Sequence, residues 1–258
     1  MSEGHISLSF RQFTTGGNAE ARLPVAVEAP VSLTVNGEAW LTFQCTPTDL
    51  EALAVGFLYN EGFVRGIDEV EDVRVCAQKD NVDVWLSHPA RKPAVWRRTA
   101  GCHGGAVADD PERAPVQPVN SQAVMRPEQI FHLLDQFFEA QTPHSEAGGI
   151  HTSAAADGGT LLFLMQDIGR HNTLDKIAGR MLLERITIQS PALLTSGRVS
   201  SEMALKAARM SAPFLVAMRS ASQLAIREAD EWGLTLISGA RRGRFNLFTH
   251  PERIVTGP

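Results

Sequence analysis

The sequence predicts an α/β protein: a C-terminal α/β sheet domain preceded by a smaller α+β N-terminal region. Three observations lead there. Past about residue 148, short apolar runs alternate with helical repeats, the pattern of strands joined by crossover helices in a largely parallel, two-sided sheet. In the first hundred residues a hairpin signal precedes one amphipathic helix and a second pair of strand-like runs. Between them, Thr99–Asn120 loses periodicity and gathers Gly101, Gly104, Gly105 and several prolines, as an exposed, mobile loop does. The boundaries read as 1–98, 99–120 and 121–258.

Taken in order, Val31–Val35 and Ala39–Gln44 are strands joined through Asn36-Gly37, a pair that tolerates positive φ. Thr46 caps a helix with Pro47 at its first position and Asp49 as the capping-box acid. Leu50, Leu53, Ala54, Phe57 and Leu58 form its buried face and Gly62 ends it. Val70–Cys76 and Val82–Leu86 alternate as a strand pair, and a helix from Pro127 carries Ile130, Leu133, Leu134, Phe137 and Phe138 on one face. Then come a strand at Leu161–Met165, a helix from Asn172, a strand at Ala192–Thr195 and a helix from Ser200. A strand at Phe214–Ala217, a helix over Ser222–Trp232 stopped by Gly233, and a strand at Leu234–Ile237 complete the alternation.

Composition narrows the function classes. The 258 residues carry a net charge of -5, which argues against nucleic acid as a partner, since a basic face is what holds phosphates. Three cysteines, Cys45, Cys76 and Cys102, are too few for a disulfide framework and fit a reducing compartment. No basic stretch followed by an apolar run opens the chain, and no apolar run approaches the roughly 18 residues of a membrane span. A soluble, cytoplasmic protein without a membrane partner is expected.

Chemistry gathers at five places. Cys102 lies in Thr99-Ala-Gly-Cys-His-Gly-Gly105 with Arg97, Arg98 and His103 nearby; positive neighbours favour the thiolate. Loop context alone leaves reactive and inert readings of this thiol open, whereas Cys45 and Cys76 sit in strand-like segments as small buried residues do. Asp167, Gly169, Arg170, His171, Asn172 and Lys176 occupy a strand-to-helix junction, where free N–H groups and cations suit an anion. Ser196-Gly197-Arg198 repeats the arrangement, and loops at the carboxyl ends of strands in open sheets converge on one ligand crevice. Gly239-Ala240-Arg241-Arg242-Gly243-Arg244 forms a third loop, with arginine forks suited to phosphate. His151, after Gly148-Gly149, reads equally as a ligand-facing or a structural histidine. No Cys-x-x-Cys, P-loop or Gly-x-Ser-x-Gly elbow is present, and neither is the zinc-deaminase signature.

These segments resemble the formate dehydrogenase accessory sulfurtransferase family, called FdhD. The resemblance rests on Thr46-Pro-x-Asp49 with Gly56-Phe-Leu…Glu61-Gly62, on Gly148-Gly-x-His151, and on Asp167-x-Gly-Arg-His-Asn172…Asp175-Lys176. It continues through Ser196-Gly-Arg198…Glu202, Thr235-Leu236 and Gly239–Arg244. It implies a persulfide carrier that takes sulfur from a cysteine desulfurase. The sulfur passes to the molybdenum (or tungsten) bis(molybdopterin guanine dinucleotide) cofactor destined for formate dehydrogenase. By the same resemblance Cys102 is the persulfide cysteine, residues 239–244 are the cofactor-binding loop, and the C-terminal domain is cytidine-deaminase-like without zinc. A homodimer is expected by resemblance alone.

The chain departs from the family pattern at Gly105, where a second cysteine of a Cys-x-x-Cys would stand. Release of sulfur through a disulfide within that loop is therefore unavailable. Gln166 and Gly239 likewise replace a usual acid and a usual aromatic. The competing reading is a non-catalytic chaperone that binds and delivers the cofactor; a zinc-dependent deaminase is a third.

Overall fold

The computed structural model describes residues 4–98, 106–108, 114–141 and 149–256. Strands β1 (His5–Thr14) and β2 (Gly17–Ala26) pair as an antiparallel ribbon. Then come β3 (Ala29–Val35), β4 (Glu38–Cys45), α1 (Leu50–Asn60), β5 (Val70–Val75) and β6 (Asn81–Leu86). The last four strands form one sheet in the order β4-β3-β6-β5. The β3–β4 turn is the expected hairpin, with Asn36 and Gly37 at φ 49° and 79°.

The start of α1 differs from expectation. Its cap is Asp49, in the left-handed region at φ 51° and without a side-chain cap bond, so Thr46 and Pro47 precede the helix. Thr46 is engaged elsewhere: its N–H donates to Asp167 Oδ2 at 3.1 Å and its Oγ1 accepts from the Ile168 N–H at 3.2 Å. The other end follows the sequence. Gly62, at φ 79°, donates to the Tyr59 carbonyl, and Phe63 donates to that of Leu58, which closes the helix in a Schellman turn.

Strands β7 (Trp96–Arg98) and β8 (Ala106–Ala108) pair antiparallel, with Arg98 opposite Ala106. Residues 99–105, including Cys102, connect them and lie outside the described residues. Next are α2 (Pro127–Ala140), β9 (His151–Asp157), β10 (Thr160–Asp167), α3 (Arg170–Leu183) and β11 (Pro191–Thr195). The chain ends through α4 (Ser201–Arg209), β12 (Phe214–Ala217), α5 (Gln223–Glu231), β13 (Thr235–Arg241) and β14 (Arg244–Leu247).

Six of these strands form a sheet in the order β10-β9-β11-β12-β13-β14. It is mixed, not largely parallel as the alternation predicts: only β11, β12 and β13 run parallel. Strand β9 is antiparallel to both its neighbours. Its run Ala154-Ala155-Ala156 is buried, yet alanine carries little strand preference, which hides this strand from a propensity reading. The sheet is two-sided, as expected. Ala155, Leu193, Leu215 and Leu236 pack with α3, α4 and α5, while Ala154, Ala156, Leu194, Val216 and Ile237 pack with α2.

One further helix start and one loop also shift. Helix α3 begins at Arg170 with Gly169 as its cap, so Asn172 lies inside the first turn and not at the cap. Ser200 and Ser222 do occupy cap positions, and Gly233 ends α5 at φ 70°. Residues 239–244 are not a loop. Strand β13 continues to Arg241, Arg242-Gly243 makes the turn, and Arg244 opens β14 opposite Arg241.

Helix α1 is buried almost all round because the four-stranded sheet covers one side and α3 the other. The two helices touch backbone to backbone. A Cβ on Gly56 would lie 1.8 Å from the Asp175 carbonyl oxygen, and one on Gly179 would lie 1.8 Å from that of Ala52. Gly56→Ala is therefore expected to destabilise the protein by about 3 kcal/mol or more, the upper range for overpacking against a backbone that cannot yield. Gly66→Ala, where added bulk meets nothing within 4 Å, should change stability by less than about 0.5 kcal/mol. Urea unfolding of both variants checks this; equal midpoints would contradict the close crossing.

Candidate functional site

Strand directions bring the expected loops to one edge of the six-stranded sheet. Strands β10 and β11 are both antiparallel to β9, so both end where β9 begins, and His151 pairs with Asp167. Past β11, the Ser196 N–H donates to the Thr152 carbonyl at 2.8 Å and its Oγ accepts from the Thr152 N–H at 2.9 Å. Past β12, the Met218 N–H donates to the Thr195 carbonyl at 2.9 Å, and the Gly239 N–H donates to the Arg219 carbonyl at 3.0 Å. Asp167, Ser196, Arg219 and Gly239 thus follow one another along this edge.

A cavity of about 330 Å³ opens there, with Arg170, Arg198, Ser200, Ser220 and Ser222 in its wall. Arg170 is buried at the first turn of α3; Arg198 and Arg219 are exposed. Gly197 makes room for Arg170, since a Cβ there would stand 3.2 Å from the Arg170 Cβ. His151 opens β9 at the same edge. Burial holds its ring below the ordinary imidazole range, and Arg170, Arg219 and Arg198 add to that against the opposite pull of Asp167. The site is a cationic recess with a neutral imidazole, suited to a phosphate or another anion. A larger cavity, about 490 Å³, lies at the far end, beside Pro191 at the start of β11 and Arg209 at the end of α4.

His171 lies behind the recess. It is 2 % exposed, and its Nε2 stands 3.2 Å from Ser200 Oγ and 3.9 Å from Glu202 Oε2. Burial, then Lys206, Arg170 and His151, push its ring well below the ordinary range, so it is neutral at physiological pH.

Asp167, Asn172 and Lys176 are held beneath the recess. Lys176 and Asp167 are both fully buried and pair at 2.7 Å. The other Asp167 oxygen accepts from the Gly169 N–H and from Asn172 Nδ2, each at 2.8 Å. Lys176 also donates to the carbonyls of Thr46 and Gln166 at 3.1 Å, and Asn172 donates to the Gln44 carbonyl at 3.0 Å. These side chains fasten the α3 junction to the end of β4.

The hairpin at 239–244 divides. Gly239 touches the strand-end row through Arg219. Arg241 donates to the carbonyls of Met218 and Ala240, and Ala240 is buried against the α2 face. Arg242 leans on α2, 3.5 Å from Asp135 and over the Phe138 ring. Gly243 forms the turn at φ 76°, and Arg244 is exposed.

Of the cysteines, Cys45 is buried, and burial with the Asp167 charge pushes its thiol up to about 12. Cys76 is not in a strand; it is half-buried after β5 and donates to Asp80 Oδ1 at 2.8 Å. Cys102 lies outside the described residues. Among the described residues no three of His, Cys, Asp and Glu come together as a metal ion would need. Sequence reasoning missed Arg219 and Thr46. Arg219 carried a signal, since it follows β12 as Arg198 follows β11, but without an adjacent glycine to mark it.

The two depressed histidines set a pH dependence. Their folded pKa values lie below the unfolded value of 6.5, so below that pH the unfolded chain takes up protons that the folded chain refuses. Stability is full above pH 6.5 and falls as the pH drops through it. The Tm should therefore decline between about pH 7.5 and pH 5.5, and His171→Gln should flatten part of that slope. A Tm unchanged over this range would contradict the burial of neutral imidazoles.

Comparison with known proteins gives the family. The model of the FdhD/NarQ family matches residues 26–255. Sulfur carrier protein FdhD of Staphylococcus aureus strain MRSA252 is 34 % identical over 233 residues, which is 88 % of each chain. The protein of that name from strain Newman matches equally. The crystal structure of a protein described as a formate dehydrogenase accessory protein from Desulfotalea psychrophila superposes with a TM-score of 0.80. It is 25 % identical and covers 97 % of this chain and 99 % of its own. With the family model matched from β2 to beyond β14 and relatives aligned over most of their length, this chain belongs to the FdhD/NarQ family.

Proposed function

We propose that this protein is a sulfur carrier for formate dehydrogenase maturation. It takes sulfane sulfur from a cysteine desulfurase as a persulfide on Cys102. It then transfers that sulfur, as a sulfurtransferase, to the molybdenum or tungsten bis(molybdopterin guanine dinucleotide) cofactor before insertion into formate dehydrogenase. We place this in the cytoplasm, with a second copy of the chain as its partner in a homodimer. The names carried by its relatives support the reading, and the observation that carries it here is the recess with Arg170 and Arg198 in its wall, with exposed Arg219 following β12 at the same edge of the sheet.

A guanine dinucleotide presents phosphate oxygens, which guanidinium forks bind bidentately. In this reading Arg170, Arg198 and Arg219 hold those oxygens, while neutral His151 adds a polar contact without adding charge. Asp167, Asn172 and Lys176 position the recess from below, and the backbone at Gly239 borders it.

The sulfur step needs one accessible thiolate. Cys45 is sealed and held protonated, and the Cys76 thiol is already engaged as a donor to Asp80 Oδ1. Cys102 lies in the segment joining β7 to β8, among positive residues in sequence. Its thiolate attacks the terminal sulfur of the donor's persulfide; the donor S–S bond breaks and the donor cysteine leaves as thiolate. One sulfur moves with no net oxidation, so no second cysteine is needed for loading, and Gly105 bears only on release.

Incubation with a cysteine desulfurase and cysteine, followed by intact-protein mass spectrometry, should reveal one reductant-labile added sulfur on the Cys102 peptide. Sulfur confined to Cys45 or Cys76 would overturn the assignment. Arg198→Ala should weaken binding of a guanine nucleotide by roughly tenfold or more, the loss of a charge-assisted contact. Arg242→Ala, directed at α2, should leave that affinity within about twofold, in keeping with substitutions away from a contact.

A further inference from the structure

Two serines start helices in the wall of the arginine recess, and they are used differently. Ser222, the cap of α5, accepts a hydrogen bond from the Ala225 N–H at 3.1 Å, the ordinary use of such a residue. Ser200, the cap of α4, makes no side-chain cap bond. Its hydroxyl instead stands 3.2 Å from His171 Nε2, which comes from the first turn of α3, a neighbouring helix. The side chain that could cap α4 is thus held by a buried histidine at the edge of a cavity that also contains Arg170 and Arg198.

The protonation of His171 follows from its surroundings. Nε2 faces Ser200 Oγ and, at 3.9 Å, the Glu202 carboxylate, whereas Nδ1 is buried without a hydrogen-bond partner. An unpaired N–H in the interior costs more than an unpaired lone pair, so the proton belongs on Nε2. The imidazole then donates to Ser200 Oγ. The serine's own O–H is left to point into the recess as a donor, beside the guanidinium groups of Arg170 and Arg198.

We infer that Ser200 is a specificity-determining hydroxyl of the recess, donating to a phosphoryl oxygen of the bound molecule, and that His171 is the positioning residue that fixes its direction. The inference rests on the anion-binding reading of this recess. It adds a contact that neither helix-terminus geometry nor the arginines supply: a neutral donor that fits an oxygen already shared with a cation. His171 does not touch the ligand and acts through Ser200.

The test is calorimetric titration of the full-length protein with GDP and with guanosine. Ser200→Ala should lose about tenfold in GDP affinity, as removal of a hydrogen bond to a charged group does, and lose little for guanosine. A merely structural role would weaken both or neither. His171→Gln should weaken GDP binding in the same direction. The double variant should bind like Ser200→Ala alone, because the two residues act through one contact. Ser200→Thr, which keeps the hydroxyl, should restore most of the affinity, and the Tm of each variant reports that the fold is intact. GDP affinity in Ser200→Ala equal to that of the unaltered protein would overturn this inference while leaving the anion-binding reading standing. Additive losses in the double variant would overturn the positioning role of His171. Failure of the unaltered protein to bind GDP would overturn both readings together.

Discussion

A lysine with no exposed surface must be neutralised in place, and in this protein that requirement ties the two halves of the chain together. Lys176 pairs with Asp167 at 2.7 Å and donates to the Thr46 and Gln166 carbonyls. Removal of one partner from such a pair typically costs about 3–5 kcal/mol, because the other charge is left buried and uncompensated. The pair also fixes positions. Asp167 ends β10 and reaches Thr46 beyond β4, the Gly169 N–H and Asn172, so the entry into α3 takes one direction. That direction places Arg170 in the recess and His171 against Ser200.

A second buried pair uses the residue of α3 next to Lys176. Lys206 of α4 meets Asp175 at 2.6 Å, and Asp175 accepts from Asn60 of α1 at 2.8 Å. With the contact through Gly56 and Gly179, α1 lies so close to α3 that no side chain separates their backbones there. Such joints are tolerant of little change, as close packing dictates. The recess is consequently built on rigid elements, whereas Cys102 is carried by the chain between two three-residue strands. In the proposed reading, binding of an anionic client on rigid elements, with the thiol of Cys102 on a separate connection, is a workable division for a carrier that must meet both a donor and an acceptor.

Most of the fold was legible because its signals are local. The Asn36-Gly37 turn, the Gly62 and Gly233 stops, the Ser222 cap and the helix from Pro127 follow from backbone preference and periodicity. What escaped depends on contacts distant in sequence. Thr46 has the chemistry of a cap, yet its partners are more than a hundred residues away. Strand β9 reads as an alanine run, and its identity as the antiparallel strand between β10 and β11 comes from burial on both faces. In the site, Arg170 and Arg198 were legible as charge beside glycine at strand ends, whereas His151 read equally as ligand-facing or structural. Arg219 was not legible, because only the parallel order of β11 and β12 brings it beside them. Asp167, Asn172 and Lys176 read as ligand-facing groups, and burial alone reveals that they support the recess from beneath.

We propose that sulfur passes through Cys102 while the arginine recess holds the acceptor. Serine at position 102 preserves size but cannot carry sulfane sulfur, since that chemistry needs a thiolate and a reducible S–S bond. The most direct measurement is formate dehydrogenase activity per bound metal in a strain whose own copy of this protein is replaced by Cys102→Ser. The expected result is a dehydrogenase that contains metal and cofactor yet is inactive, with guanine-nucleotide binding by the variant carrier close to that of the unaltered protein. Unaltered activity per metal would contradict it and leave delivery by binding alone as the function of the recess.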